Sequence, residues 1–202
     1  MNIVVLGASG RAGSEITREA AARGHTVTAI ARKPGAIPTA DGVTAVAGDA
    51  SDATALAPLL KGADAVISAL HHDIPAATLL KALRTAGVPR LLVTGGASSL
   101  EVAPGVKLID TPDFPEEWKV FARNGIVFLD DLRGETDIDW TYFSPAALIE
   151  ETPRLGRYRT GTDQLVVDAN GDSKIGFSDY AIAMVDELEN PKHSRARFTA
   201  AY

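Results

Sequence analysis

The chain has 202 residues, 46% of them apolar and 23% charged, with 20 basic and 26 acidic side chains and no cysteine. At about 100–200 residues per domain this is one globular domain with room for a sizeable core, and the composition excludes a disordered chain. The missing cysteines exclude disulfides, thiolate metal centres and thiol nucleophiles, and a net charge of −6 argues against a nucleic-acid partner.

The first stretch, residues 2–7, is an apolar run rich in Ile and Val and ended by glycine. It reads as a strand, with no cationic segment or cleavage site of a leader peptide. Residues 11–23 follow with helical composition and stop at Gly24. Strands are then expected at 27–31, 43–47, 65–70, 91–93 and 138–143. Helices are expected at 52–61, 75–86 and within 115–133, with Pro75 in a first turn and Gly87 as a C-terminal cap. Beyond Pro145 the texture changes. Two β-like stretches, 156–160 and 164–167, precede a turn at Asn170-Gly171-Asp172, and Ser178 is placed to cap a helix over 179–189. A final strand is expected at 198–202.

Strands separated by helical crossovers imply an α/β fold with a doubly wound, mainly parallel sheet. The expected organisation is a single domain, residues 1–202, with a Rossmann core over about 1–145 and a small C-terminal lobe over about 146–202. No apolar run approaches the ~18 residues that span a bilayer. A cytoplasmic protein without membrane contact is expected, as monomer or homodimer.

The turn after the first strand reads Gly7-Ala8-Ser9-Gly10-Arg11-Ala12-Gly13. A G-x-x-G-x-x-G spacing between strand and helix suits a dinucleotide: Gly7 for the tight turn, Gly10 for close approach of a pyrophosphate, Gly13 for packing of helix on strand. Ser9, Arg11 and Ala12 belong to the same loop. An ordinary glycine-rich turn is the bland alternative. An NAD site places a carboxylate at the end of the second strand, yet no acid occurs between Glu19 and Asp41, and that strand ends Ala31-Arg32-Lys33. Two cations suit a ribose 2′-phosphate, and Arg11 is expected to add a third charge, so NADPH is preferred over NADH. Asp49, next to Ala50 after the third strand, is placed to meet the adenine, while Ser51 or Asp52 caps the next helix. Ser68, Ala69 and Leu70 should line the crevice beside the pyrophosphate. His71-His72-Asp73 then follows. Adjacent side chains rarely converge on one ion, so no metal site is expected, and His71 is either a substrate-facing residue at the rim or part of an exposed loop.

Several segments carry a resemblance over almost the whole chain: GASGRAG at 7–13, GDASD at 48–52, DAVISAL at 64–70, LLVTGGAS at 91–98 and DWTYFSPAAL at 139–148. PDFPEEWK at 112–119 and the run from Asp163 to Glu189 extend it. The sequence resembles the atypical short-chain dehydrogenases/reductases, closest to the NADH-flavin reductase group and near NmrA-like proteins and biliverdin-IXβ (flavin) reductase. The resemblance implies that Thr94, Gly95, Pro145 and Ala146 flank the nicotinamide.

The larger superfamily activates a substrate oxygen with a Tyr-x-x-x-Lys pair. Here Ala146, Thr162 and Met184 stand four residues after Tyr142, Tyr158 and Tyr180, and Tyr202 is the last residue. The pair is absent, which disfavours alcohol oxidation and sugar epimerisation, reactions that need a positioned acid–base. A conjugated acceptor such as FMN, FAD, riboflavin or a quinone asks less, because the cofactor carries the chemistry and the protein supplies orientation. Ser98 is the candidate hydroxyl facing that small-molecule acceptor, with Tyr142 second; the alternatives are loop capping by Ser98 and sheet packing of Tyr142. A non-catalytic NADP(H) sensor and a pathway isomerase or dehydratase are the competing functions.

Overall fold

The computed structural model describes residues 1–202. In chain order the elements are β1 (Asn2–Leu6), α1 (Arg11–Ala22), β2 (Thr26–Ala31), β3 (Val43–Ala47), α2 (Ala53–Leu60), β4 (Ala65–Ser68), α3 (Ala76–Ala86) and β5 (Arg90–Thr94). There follow a hairpin of β6 (Glu101–Ala103) and β7 (Val106–Lys107), then α4 (Lys119–Arg133), β8 (Asp139–Ser144) and β9 (Leu148–Glu150). The chain ends with β10 (Arg159–Gly161), β11 (Lys174–Gly176), α5 (Phe177–Glu189) and β12 (Ala196–Ala201).

Eight strands form the main sheet in the order β10-β12-β8-β5-β4-β1-β2-β3. All its pairings are parallel except β10 on β12. The order runs outward from β1 in one direction and from β4 in the other, so the strand order reverses between β1 and β4, the place where doubly wound sheets open a crevice. Period-two alternation distributes each strand between two cores. Ile3, Val5, Ile67, Leu92 and Phe143 face α1 and α5, whereas Val4, Leu6, Val66, Val93 and Tyr142 face α2, α3 and α4. Strands buried on both faces explain why the sequence shows continuous apolar runs there.

Residues after 145 divide between two tasks. β9 pairs with β11 in a separate two-stranded patch, while α5 covers the main sheet beside α1 and β12 extends it next to β8. Phe143 is stacked between Tyr180 and Phe198, at ring separations of 4.0 and 4.1 Å, which fixes the end of β8 with about 0.5–1.5 kcal/mol per aromatic pair beyond the area buried.

Of the two cap candidates, Asp52 takes the role at α2, accepting from the backbone N–H of Thr54 and Ala55 at 2.8 and 3.3 Å. Two local expectations are corrected. Ser178 does not cap α5. The helix starts at Phe177 with extended Gly176 as its cap, and the Ser178 hydroxyl is buried without a partner. Residues 164–167 form no strand, only a single bridge between Gln164 and Glu101, because the hairpin they meet offers one paired residue.

Candidate functional site

The glycine turn is built from constraints internal to the chain. Gly7 has φ +75°, and its N–H and that of Ala8 donate to the Ile30 carbonyl at 2.9 and 3.2 Å, tying the turn to β2. A Cβ on Gly7 would stand 2.5 Å from the Ala69 carbonyl oxygen, and one on Gly13 would stand 2.2 Å from the Gly7 oxygen. Gly10 differs. It is exposed, and a Cβ there would meet only the Gly7 oxygen at 3.3 Å. Packing therefore demands two of the glycines, while the third leaves space beside the start of α1. No side chain caps α1 and no acid occupies its first turn. Its free N–H groups and dipole are available to an anion, so the cradle fits a pyrophosphate.

That cradle opens into a cleft of about 720 Å³ lying over the strand-order reversal. One end carries Gly7, Ser9 and Gly10; the other carries Arg32 and Lys33 from the end of β2 with Asp49 and Ala50 after β3. Ala69, Leu70 and His71 complete the wall. Arg32 and Lys33 are exposed and enter no ion pair. Asp49 accepts from the Ser51 N–H at 2.9 Å. That hydrogen bond, together with the nearby Arg32 charge, holds its carboxyl below the usual range, so a fixed carboxylate and two uncommitted cations share one end.

Arg11 does not join them. Its guanidinium lies 5.0 Å over the Phe177 ring, in a separate cavity with Arg18 between α1 and the start of α5. The helical phase at the first residue of α1 turns it away from β2. Gly13 and Ser68 are buried and Ala12 is half-buried, so these residues shape the turn without lining the cleft.

Past β5 the chain runs Thr94-Gly95-Gly96, half-buried, beside Pro145 and buried Ala146 at the end of β8. Tyr142 governs this region, but not as a proton donor to an acceptor. The side chain is buried, its hydroxyl accepts from the Gly96 N–H and donates to the Gly125 carbonyl, both at 3.0 Å, and burial pushes its pKa up to about 12. A Cβ on Gly95 would stand 2.2 Å from the Tyr142 ring, which is why glycine occupies that position. Ser98 is also buried, and its hydroxyl donates to the Ala122 carbonyl at 3.3 Å, tying the loop to α4. Both expected acceptor-facing hydroxyls are thus spent on holding the loop after β5.

The histidine that matters to this region is the neighbour of the one singled out by sequence. His71 is exposed on the cleft rim, whereas His72 is half-buried against Phe128, 5.0 Å between ring centres, and Tyr142, 5.8 Å. A Cβ on Gly125 would stand 3.4 Å from the His72 Nδ1, and the Nε2 is buried without a partner. Burial, reinforced by the adjacent His71 charge, pushes His72 down to about 4, so the ring is neutral at neutral pH. Its partner Gly125 lies far along the chain, and no local signal distinguishes the two histidines.

Comparisons agree with this architecture. The chain is 43% identical to the uncharacterized protein YwnB of Bacillus subtilis (strain 168), covering 98% of this chain and 97% of that one. A solved structure from Bacteroides thetaiotaomicron, provisionally called an epimerase, superposes with a TM-score of 0.94 at 42% identity, covering 100% and 96% of the two chains. One from Streptococcus pneumoniae TIGR4, provisionally called an NADH-flavin reductase, gives 0.86 at 34% identity, covering 100% and 99%. The profile of the NAD(P)H-binding family matches residues 7–191, within which lie the glycine turn, the two uncommitted cations and the loops after β5 and β8, and the chain belongs to that family.

Proposed function

We propose that the protein is an NADPH-preferring reductase that passes hydride to a flavin, quinone or similar conjugated acceptor. When bound, the nicotinamide supplies the hydride. Arg32 and Lys33 hold the 2′-phosphate, and Ser9, Gly10 and the start of α1 hold the pyrophosphate. Asp49 meets the adenine, and Thr94, Gly95, Pro145 and Ala146 flank the nicotinamide.

The observation that carries this reading is the state of the four tyrosines. Tyr142 is clamped between Gly96 and Gly125, Tyr180 donates to the Phe143 carbonyl at 2.8 Å, Tyr158 bonds Asp186, and Tyr202 donates to Asp179 at 2.6 Å. None offers a free phenol, and every one of them is pushed up in pKa, with burial the largest cause. With every phenol engaged and His72 neutral, the loops after β5 and β8 present neither a free tyrosine nor a charged buried histidine, which suits an acceptor whose ring takes hydride directly and takes its proton from water. The provisional name of the Streptococcus pneumoniae protein supports the same class.

The test is NADPH consumption, followed by its near-ultraviolet absorbance, with and without FMN or riboflavin and with NADH in parallel. Acceptor-dependent turnover, faster with NADPH, is expected. Tight NADPH binding without turnover on any flavin or quinone would refute the reductase and favour a sensor.

A further inference from the structure

Helix α4 carries one apolar stripe whose exposure changes halfway along. Trp118, Phe121, Gly125, Phe128 and Leu132 recur at spacings of three and four, which places them on one helix face. Trp118 ends a short 3₁₀ turn, Glu116–Trp118, and has helical dihedrals, φ −91° and ψ −13°, so the phase continues through it. Gly125, Phe128 and Leu132 are buried, yet Phe121 is 69% and Trp118 56% exposed. A core-facing stripe becomes exposed without leaving its face only where the helix runs past the surface it packs on. Here the overrun lies over the carboxyl ends of the strands, where α4 starts.

Contacts lower on the same stripe place the overhang. Gly125 and Phe128 both meet His72, which follows β4, and Phe121 stands about one turn, ~5–6 Å, beyond Gly125 along the helix. The Ser98 and Tyr142 hydrogen bonds fasten the loop after β5 to Ala122, next to Phe121, and to Gly125, the first buried position of the stripe. Two exposed aromatic side chains therefore sit at the start of α4, within about one turn of the residues that hold the loop after β5. The nearby Lys119 charge is paired with Glu116 at 2.6 Å. Val120 and Val127 are exposed too, but they sit on the outward face, about a third of a turn or more away.

We propose that Trp118 and Phe121 form the aromatic face on which the acceptor stacks, so that preference for a planar, conjugated ring such as an isoalloxazine resides in the first turn of α4. The proposal rests on the reductase reading and names the part of the site that selects the acceptor. Offset stacking on two rings suits a flat π-system and gives little to a small aliphatic carbonyl compound.

The test uses FMN with the wild-type protein, W118L, F121A and the outward-face control V127A. Trp118 and Trp140 are the only tryptophans, and Trp140 is buried. Titration with FMN is expected to quench wild-type emission saturably, beyond the absorptive loss seen in W118L. F121A should raise the KM for FMN about tenfold, with the KM for NADPH unchanged within about twofold and V127A like wild type. FMN turnover with unchanged FMN KM in W118L and F121A would overturn the stacking face and leave the reductase standing. Saturable Trp118 quenching without turnover would support the face and remove the reductase. Neither quenching nor turnover would overturn both. A dimer that F121A dissolves, with FMN KM unchanged, would give the face to a second copy of the chain and also overturn the proposal.

Discussion

Removing the charges of Arg32 and Lys33 together should weaken NADPH while leaving NADH nearly untouched. Both side chains are exposed at one end of the cleft, and neither is committed to a carboxylate, so their charge is available to a ligand. The 2′-phosphate, the group that separates the two cofactors, carries about −1.5 to −2 charges at neutral pH. A unit charge pair at about 4 Å in a water-like dielectric is worth about 1 kcal/mol. Two cations against that phosphate reach about 3–4 kcal/mol, and screening with a Debye length of about 8 Å and the ordering of two long side chains reduce this to about 2 kcal/mol. The R32A/K33A protein should thus bind NADPH roughly thirtyfold more weakly and NADH within about twofold of wild type. Calorimetric titration with both cofactors at low and high salt checks this. Wild-type NADPH affinity should fall with salt, and the variant should lose that dependence. Equal losses for the two cofactors would place the basic pair away from the ribose and refute the argument.

Three further outcomes follow from the geometry. His72 is held at about 4 in the folded chain against about 6.5 when unfolded, so between those values the unfolded state binds the extra proton. Its contribution is fully present above pH ~6.5 and is lost as pH falls, reaching about 3 kcal/mol by pH ~4. Urea unfolding of H72Q should show a correspondingly flatter profile across that window, and parallel profiles would mean that the ring protonates freely in the native state. G10V should abolish dinucleotide binding with only a modest change in Tm, because Gly10 is extended and exposed and a Cβ there would meet only the Gly7 oxygen, at 3.3 Å. G13A should instead lower Tm, since its Cβ would collide with the Gly7 carbonyl at 2.2 Å. Retained NADPH affinity in G10V would overturn the placement of the pyrophosphate.

What the sequence made legible and what it hid separate along one physical line. Apart from the β6–β7 hairpin, which was not expected, the alternation of strands and helices through β8 was readable because buried parallel strands are short apolar runs and their crossovers are amphipathic, both properties of neighbouring residues. Strand order was not readable, because β1 pairs with β2 and β4 through backbone groups that carry no residue code. The start of α5 was misplaced because Gly176 caps it through backbone conformation, where Ser178 presented the more familiar cap chemistry.

The same division runs through the site. Gly7, Gly10, Arg32, Lys33 and Asp49 could be grouped in advance because each lies at the carboxyl end of one of three successive strands, and a parallel sheet brings such ends together. Arg11 sits within the same heptapeptide as the glycines, yet it faces Phe177, because one step along a helix turns a side chain by about 100°. Between His71 and His72 the choice is made from outside. Gly125 lacks a Cβ just where the His72 ring and the Tyr142 hydroxyl approach α4, at 3.4 and 3.3 Å from where that atom would be. The second histidine is drawn into this gap and the first is left on the rim. Identity of such a residue is set by an atom that another segment omits, and an omission in α4 leaves no mark on the sequence around β4.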